Sequence, residues 1–245
     1  MWLQLLIRKK GRDSALFDFR RKMKALFITG TGTDIGKTYV SAALARAMTR
    51  KNFNIAYYKA AVSGADSIES SDAGYVSLQA KLQQKTSSLL SYLYKKPLSP
   101  HLAARGEHYF ASLDKIKADF KNLADYDYVL VEGAGGIICP VVWEENSKLM
   151  YTDIIKALNL SVMVVADAGL GTINHTVLTL SYLKQLGIKI QGVILNRYNA
   201  DSLMHRDNLY MIEQLSNVKV VAVLAENEQD LKFIQADVEN YFEEC

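Results

Sequence analysis

Apolar residues along this chain gather in short, β-rich runs separated by longer stretches with helical spacing. The runs are Ala25–Thr29, Ile55–Lys59, Tyr128–Glu132, Val162–Asp167, Ile190–Asn196 and Val218–Leu224. Four of them are near-continuous in Val, Ile and Leu, which is how strands covered on both faces read. Helical spacing extends over Gly36–Arg50, Asp72–Gln83, Leu113–Ala124, Thr152–Leu158, Asn174–Leu186, Leu203–Leu215 and Gln229–Phe242. Strands that alternate with helices need crossover connections. The expected class is therefore α/β, with a mostly parallel central sheet flanked by helices on both faces. Ligands in such sheets collect beyond the carboxyl ends of the strands, so the residues that follow each run are the ones to read for chemistry.

The first run leads into Gly30-Thr31-Gly32-Thr33-Asp34-Ile35-Gly36-Lys37-Thr38 and then a helical segment. Glycines that feed Gly-Lys-Thr into a helix N-terminus make a phosphate cradle. Backbone N–H groups approach the oxygens, Lys37 adds a full positive charge, and the Thr38 hydroxyl suits a magnesium ion. The usual spacing would put the first glycine at position 31, which is Thr. Gly30 lies one residue further back, so this loop is lengthened. The expected architecture is a three-layer, P-loop NTPase-like fold that handles a nucleoside triphosphate.

Other strand ends carry further candidates, each with a plainer alternative. Lys59 closes the second run and is followed by Ala60-Ala61-Val62-Ser63-Gly64. It faces bound phosphates or snorkels to solvent. Glu132 closes the third, ahead of Gly133-Ala134-Gly135-Gly136; it is a metal-bound acid beside a triphosphate or a turn cap. Asp72 stands where a helix begins and, taken alone, reads as an N-cap. Asp167-Ala168-Gly169-Leu170-Gly171-Thr172-Ile173-Asn174 is a second glycine-rich turn before a helix, either an anion site or a loop with its cap. Asn196-Arg197 ends the fifth run, where an amide reads a base edge or serves the turn.

Charge changes the picture at one end only. Residues 1–22 hold seven Lys or Arg against Asp13 and Asp18, which leaves the rest of the chain at −2 within a total of +3. A general nucleic-acid surface is not expected. Residues 1–22 are expected to be a basic, loosely ordered extension, or to precede a functional start at Met23, with a single P-loop domain over 23–245. The apolar run Trp2–Ile7 lacks a preceding basic stretch and a cleavage site, so a secretory signal is not expected. No apolar run is long enough to span a membrane. Cys139 and Cys245 form no metal-spaced or disulfide pattern, and a reducing cytoplasm fits them. The four histidines lack zinc spacing and read as surface or packing residues, Glu144-Glu145 as a solvated loop, and Glu243-Glu244-Cys245 as a frayed tail.

Taken together, the lengthened loop, Tyr58-Lys59 with Ser63-Gly64, Ser71-Asp72-Ala73, Ser99-Pro100-His101-Leu102-Ala103-Ala104, Val131 to Gly136 and Gly171 to His175 resemble the dethiobiotin synthetase family over residues 24 to 228. That resemblance implies a cytoplasmic, ATP-dependent ligase of biotin biosynthesis. It implies closure of 7,8-diaminononanoate with CO2 into a cyclic urea, with magnesium, in a homodimer that engages neither nucleic acid nor membrane. It makes Lys37 and Lys59 catalytic and places Thr38, Asp72 and Glu132 around magnesium. The nucleotide would be held by Thr33 to Thr38, Asp72, Glu132 to Gly135, Asn196, Arg197 and the stretch Ala222-Val223-Leu224. The diamine would be held by Thr33, Ser63, Thr172, Ile173, Asn174 and Tyr210, the tyrosine reaching over from the second subunit.

The chain departs from the family where Ala60 follows Lys59 in place of proline, where Ala222-Val223-Leu224 replaces a Pro-x-Leu stretch, and where Asp34 replaces a Glu of some members. Two other classes share parts of the pattern. An amide synthase of the cobyrinate type would need a glutamine-hydrolysing domain, and the residues after Leu224 are too few for one. A partition or septum-positioning ATPase would carry a second lysine inside the phosphate loop. Position 32 is Gly, and no lysine lies between Gly30 and Lys37.

Overall fold

In the computed structural model, residues 22–245 are described; the expected basic extension falls, apart from Lys22, outside the described residues. β1 (Lys24–Gly30) runs into the glycine loop and α1 (Lys37–Arg50). β2 (Ile55–Ser63) and α2 (Asp72–Ala80) follow, then β3 (Leu90–Tyr94), α3 (Pro100–Glu107) and α4 (Leu113–Lys121). β4 (Tyr128–Glu132) leads to the hairpin of β5 (Pro140–Glu144) and β6 (Ser147–Met150), and then to α5 (Tyr151–Ala157). The remaining elements are β7 (Val162–Asp167), α6 (Thr172–Gln185), β8 (Ile190–Asn196), α7 (Leu203–Ser216), β9 (Val220–Leu224), β10 (Lys232–Phe233) and β11 (Glu243–Glu244).

Among the described residues the main sheet has nine strands, in the order β10-β9-β8-β7-β1-β4-β2-β3, with β11 on β1. Every pairing from β9 to β3 is parallel, while β10 on β9 and β11 on β1 are antiparallel. The parallel strands are largely buried on both faces, as their apolar runs require, whereas β10 and β11 stay partly exposed. One face packs Val40, Leu44 and Met48 of α1 and Val76 of α2. The other packs Ile116 and Phe120 of α4, Ile154 of α5, Leu180 and Leu183 of α6, and Ile212 of α7. Each large apolar side chain so covered contributes roughly 1.5–3 kcal/mol. The result is the three-layer, P-loop NTPase-like architecture expected of the pattern.

Strand order sets β1, β4 and β2 side by side. The register pairs Ile28 with Glu132 and Glu132 with Lys59. The ends of β1 and β4 and the middle of β2, which runs on to Ser63 rather than ending at Lys59, thus bring together a loop, a carboxylate and an ammonium.

Three expectations need correction. Gln229–Phe242 is not a helix: it contains β10 and a single 3-10 turn, Val238–Tyr241. Tertiary contacts override its spacing. The edge of β9 recruits Lys232–Phe233. Arg50 pairs with Asp230 at 2.6 Å, Arg46 donates to the carbonyl of Gln229, and Lys51 takes Glu239 at 2.8 Å and Asp237 at 3.3 Å. The tail at Glu243-Glu244 is β11, not frayed. It uses the part of the β1 edge that β7, which pairs only from Phe27 on, leaves open. Glu144 is not in a solvated loop either; it ends β5 and accepts from Arg105 Nε at 2.9 Å. β3, α3 and the β5–β6 hairpin were not anticipated.

Candidate active site

The lengthened loop leaves β1 and turns into α1 at Gly36, whose φ of 87° favours glycine. A Cβ there would lie 2.1 Å from Asn196 Nδ2. That amide, from the end of β8, donates to the carbonyl of Ile35 at 2.9 Å. Its neighbour Arg197 donates to the carbonyl of Asp34 at 3.0 Å and pairs with Asp167 at 2.6 Å. The ends of β7 and β8 thus hold the loop from behind. Lys37 crosses the loop to donate to the carbonyl of Gly32 at 2.7 Å. Burial pushes its pKa down, and Lys59 adds to that effect; Glu132, Asp72 and Asp34 oppose it without cancelling it.

Glu132 is completely buried. Its Oε1 accepts from Thr38 Oγ1 at 2.8 Å and from Lys59 Nζ at 3.0 Å, and its Oε2 accepts from Tyr57 Oη at 2.9 Å. Lys59 also donates to Asp72 Oδ2. Burial alone would lower the Lys59 pKa, but Glu132 and Asp72 outweigh it and the net shift is upward, so the ammonium persists. Burial would likewise raise the Asp72 pKa, and the Lys59 charge outweighs it, leaving the carboxyl lowered. Asp72 is free for this contact because the cap of α2 is Ser71, whose side chain accepts from the N–H groups of Ala73 and Gly74. The N-cap alternative for Asp72 therefore fails.

These groups line one cavity of about 1060 Å³. Thr33, Asp34, Gly36, Lys37, Thr38, Lys59, Ser63, Asp72, Glu132, Ala134, Gly135 and Arg197 all reach it. Ser63 Oγ is buried and, among the described residues, has no hydrogen-bond partner. Ile35 and Asn196 sit behind the loop. Gly133 lies under it, where a Cβ would come within 2.9 Å of the Phe27 ring. Ala222, Val223 and Leu224 are buried in β9. Thr172, Ile173 and Asn174 open α6, and Tyr210 lies on α7 with 57% of its surface exposed; these four are not in the cavity wall. Asn208 ties α7 to the turn before α6 by donating to the carbonyls of Ala168 and Gly169 at 2.9 and 3.1 Å.

Sequence reasoning overlooked Tyr57, and it overlooked the wall made by Pro97 to Pro100 and by Ile138 to Pro140. Only Ser99-Pro100 carried a signal, as part of a family motif. Nothing marks Tyr57 in a run of strand residues.

The arrangement gathers two buried ammonium groups, two carboxylates and a hydroxyl at the mouth of a glycine-rich anion cradle. Among the described residues no three His, Cys, Asp or Glu form a cage for a metal. Two carboxylates with a hydroxyl nevertheless fit magnesium, which takes one or two carboxylates and completes its shell with phosphate oxygens and water.

The chain matches the AAA domain family over residues 24–232. It is 47% identical to the ATP-dependent dethiobiotin synthetase BioD of Brachyspira hyodysenteriae over 221 residues, covering 90% of this chain and 99% of the relative. It is 41% identical to the protein of the same name from Clostridium perfringens, covering 86% and 94%. Among solved structures it is similar to a ParA family ATPase from Chlorobium tepidum, with TM-score 0.53, 15% identity, and 84% and 85% of the two chains covered. It is also similar to the MinC:MinD cell division protein complex of Aquifex aeolicus, with TM-score 0.52, 16% identity, and 84% and 82% covered. At such identities the two structures speak to the fold alone.

Proposed function

The chain belongs to the ATP-dependent dethiobiotin synthetase family, and from that premise we infer how its residues divide the work. It is an ATP-dependent ligase that joins 7,8-diaminononanoate and CO2 into the cyclic urea dethiobiotin, releasing ADP and phosphate. The distant likeness to partition and septum-positioning ATPases does not compete with relatives at 41–47% identity over nearly their whole length.

The observation that carries the assignment of roles is the convergence of Lys37, Thr38, Lys59, Asp72 and Glu132 on one cavity. An amine of the substrate attacks CO2 to give a carbamate. A carbamate oxygen then displaces ADP from the terminal phosphoryl group. Both partners are anionic, so alignment and charge cancellation must supply most of the help. Lys37 holds phosphate oxygens, and Lys59 faces the carbamate and the transferring group. Thr38, Asp72 and Glu132 hold magnesium, which when bound neutralises charge on the triphosphate. The second amine attacks the mixed anhydride, the ring closes and phosphate leaves. The enzyme forms no covalent bond, so no nucleophile–base pair is needed.

Ser63 and Thr33 take the amine end of the substrate, and the unpartnered Ser63 hydroxyl supports that role. Its carboxylate lies at the backbone of Thr172, Ile173 and Asn174, with Tyr210 supplied by a second copy of the chain. The exposure of Tyr210 on α7, outside the cavity wall, supports a role that only a dimer completes. Asn196 and Arg197, which brace the loop from the end of β8, take the base end of the nucleotide. The test is product formation from diaminononanoate, labelled bicarbonate and ATP. Label should appear in dethiobiotin with one ADP per ring. ATP turnover indifferent to the diamine would overturn the assignment.

A further inference from the structure

Tyr57 stands two positions before Lys59 on β2, so both side chains leave the same face of the sheet, the one that packs α1 and α2. The Tyr57 ring is fully buried there. Phenylalanine would fill that space equally well, yet the hydroxyl donates to Glu132 Oε2 at 2.9 Å. Among the described residues Tyr57 is the only donor to that oxygen, while Thr38 and Lys59 share Oε1. Rotation of a terminal carboxylate is soft. A Glu132 that turned to find a donor for Oε2 would carry Oε1 away from Thr38.

The backbone of Tyr57 is held as well. β3 joins β2 only from Lys59 on. Ahead of that point the side chain of Gln84 takes the place of a strand: it accepts from Tyr57 N at 2.7 Å and donates to Tyr57 O at 2.8 Å. A buried amide, a tyrosine backbone, a phenol and a carboxylate thus form one continuous chain that ends at the cavity.

We propose that Tyr57, framed by Gln84, is a positioning residue for the reaction: its hydroxyl fixes the rotation of Glu132, so that Oε1 stays aimed at Thr38 and the seat of the divalent ion. The inference rests on the reading of Glu132 as a metal-side acid given above.

The test uses Mn2+ as a spin probe in the presence of ADP, on the full chain and on Tyr57→Phe, Glu132→Gln and the double variant. Tyr57→Phe should weaken Mn2+ binding about ten-fold or more, the usual scale for groups that orient metal ligands. It should lower kcat while leaving KM for the diamine unchanged, a split that a packing role would not give. In the Glu132→Gln background it should add no further loss, because the two side chains act as one unit. Mn2+ affinity of Tyr57→Phe within about two-fold of the parent, with Glu132→Gln clearly weakened, overturns the role of Tyr57 alone. Unchanged Mn2+ affinity in Glu132→Gln instead removes the reading of Glu132 and the inference with it. Should Tyr57→Phe fail to fold, Gln84→Leu measured in the same way should lose Mn2+ affinity several-fold, and an unchanged affinity there counts against the proposal.

Discussion

Replacing Lys59 by Met keeps the length of the side chain and removes its charge. This ammonium is the direct ion-pair partner of Glu132, which is fully buried, and it shares its charge with Asp72 at the cavity. Removing one partner of a buried ion pair costs about 3–5 kcal/mol, because the remaining charge stays uncompensated. The pKa of Lys59 is raised above its ordinary 10.5, so its contribution is complete below that value and is lost only as pH rises through the higher, folded-state value. Neutral pH therefore reads the whole effect. For a chain of this size roughly 2–4 °C of melting temperature accompanies each kcal/mol, so Lys59→Met should melt roughly 6–20 °C below the parent in EDTA. Millimolar Mg2+ with ADP should close much of the gap, since a divalent ion between the same carboxylates restores the missing charge. Turnover should remain lost in either buffer. Thermal melts of both proteins, with and without the ion, are sufficient. If the variant melts within about 2 °C of the parent in EDTA, Lys59 is not the compensating charge and the reasoning fails.

Gly36→Ala would put a Cβ 2.1 Å from Asn196 Nδ2 at a φ of 87°, so it should break the Asn196–Ile35 hydrogen bond and cost about 2–3 kcal/mol in melts while abolishing nucleotide binding; normal ADP affinity would refute the clasp. Tyr210→Phe should raise KM for the diamine several-fold with kcat nearly unchanged, and an unchanged KM would remove Tyr210 from the site. Burial pushes the Cys139 thiol up to about 11, so at pH 8 only about one molecule in a thousand carries a thiolate there. Iodoacetamide should leave it intact in the folded protein, and labelling at the rate of a free thiol would show that the pocket wall opens.

Most of the parallel strands were legible because strands covered on both faces carry few polar positions. β4, β7 and β8 match the apolar runs to the residue. β3, Leu-Ser-Tyr-Leu-Tyr, lies at the edge of the sheet, where a serine can reach Asp119 and the continuous signal breaks. The false helix over Gln229–Phe242 shows the opposite failure. Its spacing is suitable, but ion pairs to α1 and a ladder on β9 outweigh a propensity worth a few tenths of a kcal/mol per residue. At the site, Glu132 was readable because strand ends point at ligands, and Lys59 because a charge interrupts an apolar run, although β2 continues to Ser63. Asp72 read as an N-cap on its own and as a metal-side acid only through the family resemblance; the cap is Ser71. Tyr57 was invisible because its message is a hydroxyl on a ring that otherwise looks like core. The contacts of Asn196 and Arg197 with loop carbonyls could not be read either, since they join positions far apart in the chain through backbone atoms.

The seam where Arg46 and Arg50 grip Gln229 and Asp230 has a further consequence. Arg50 and Asp230 each keep 59% of their side-chain surface in water, so mobile ions weaken that pair readily, while the buried cluster around Lys59 is shielded from them. The grip acts on α1, whose opposite end forms the phosphate cradle. Ionic strength thereby becomes a dial on how firmly the cradle's supporting helix is seated. In a salt titration, nucleotide affinity should drift before the chemical step does.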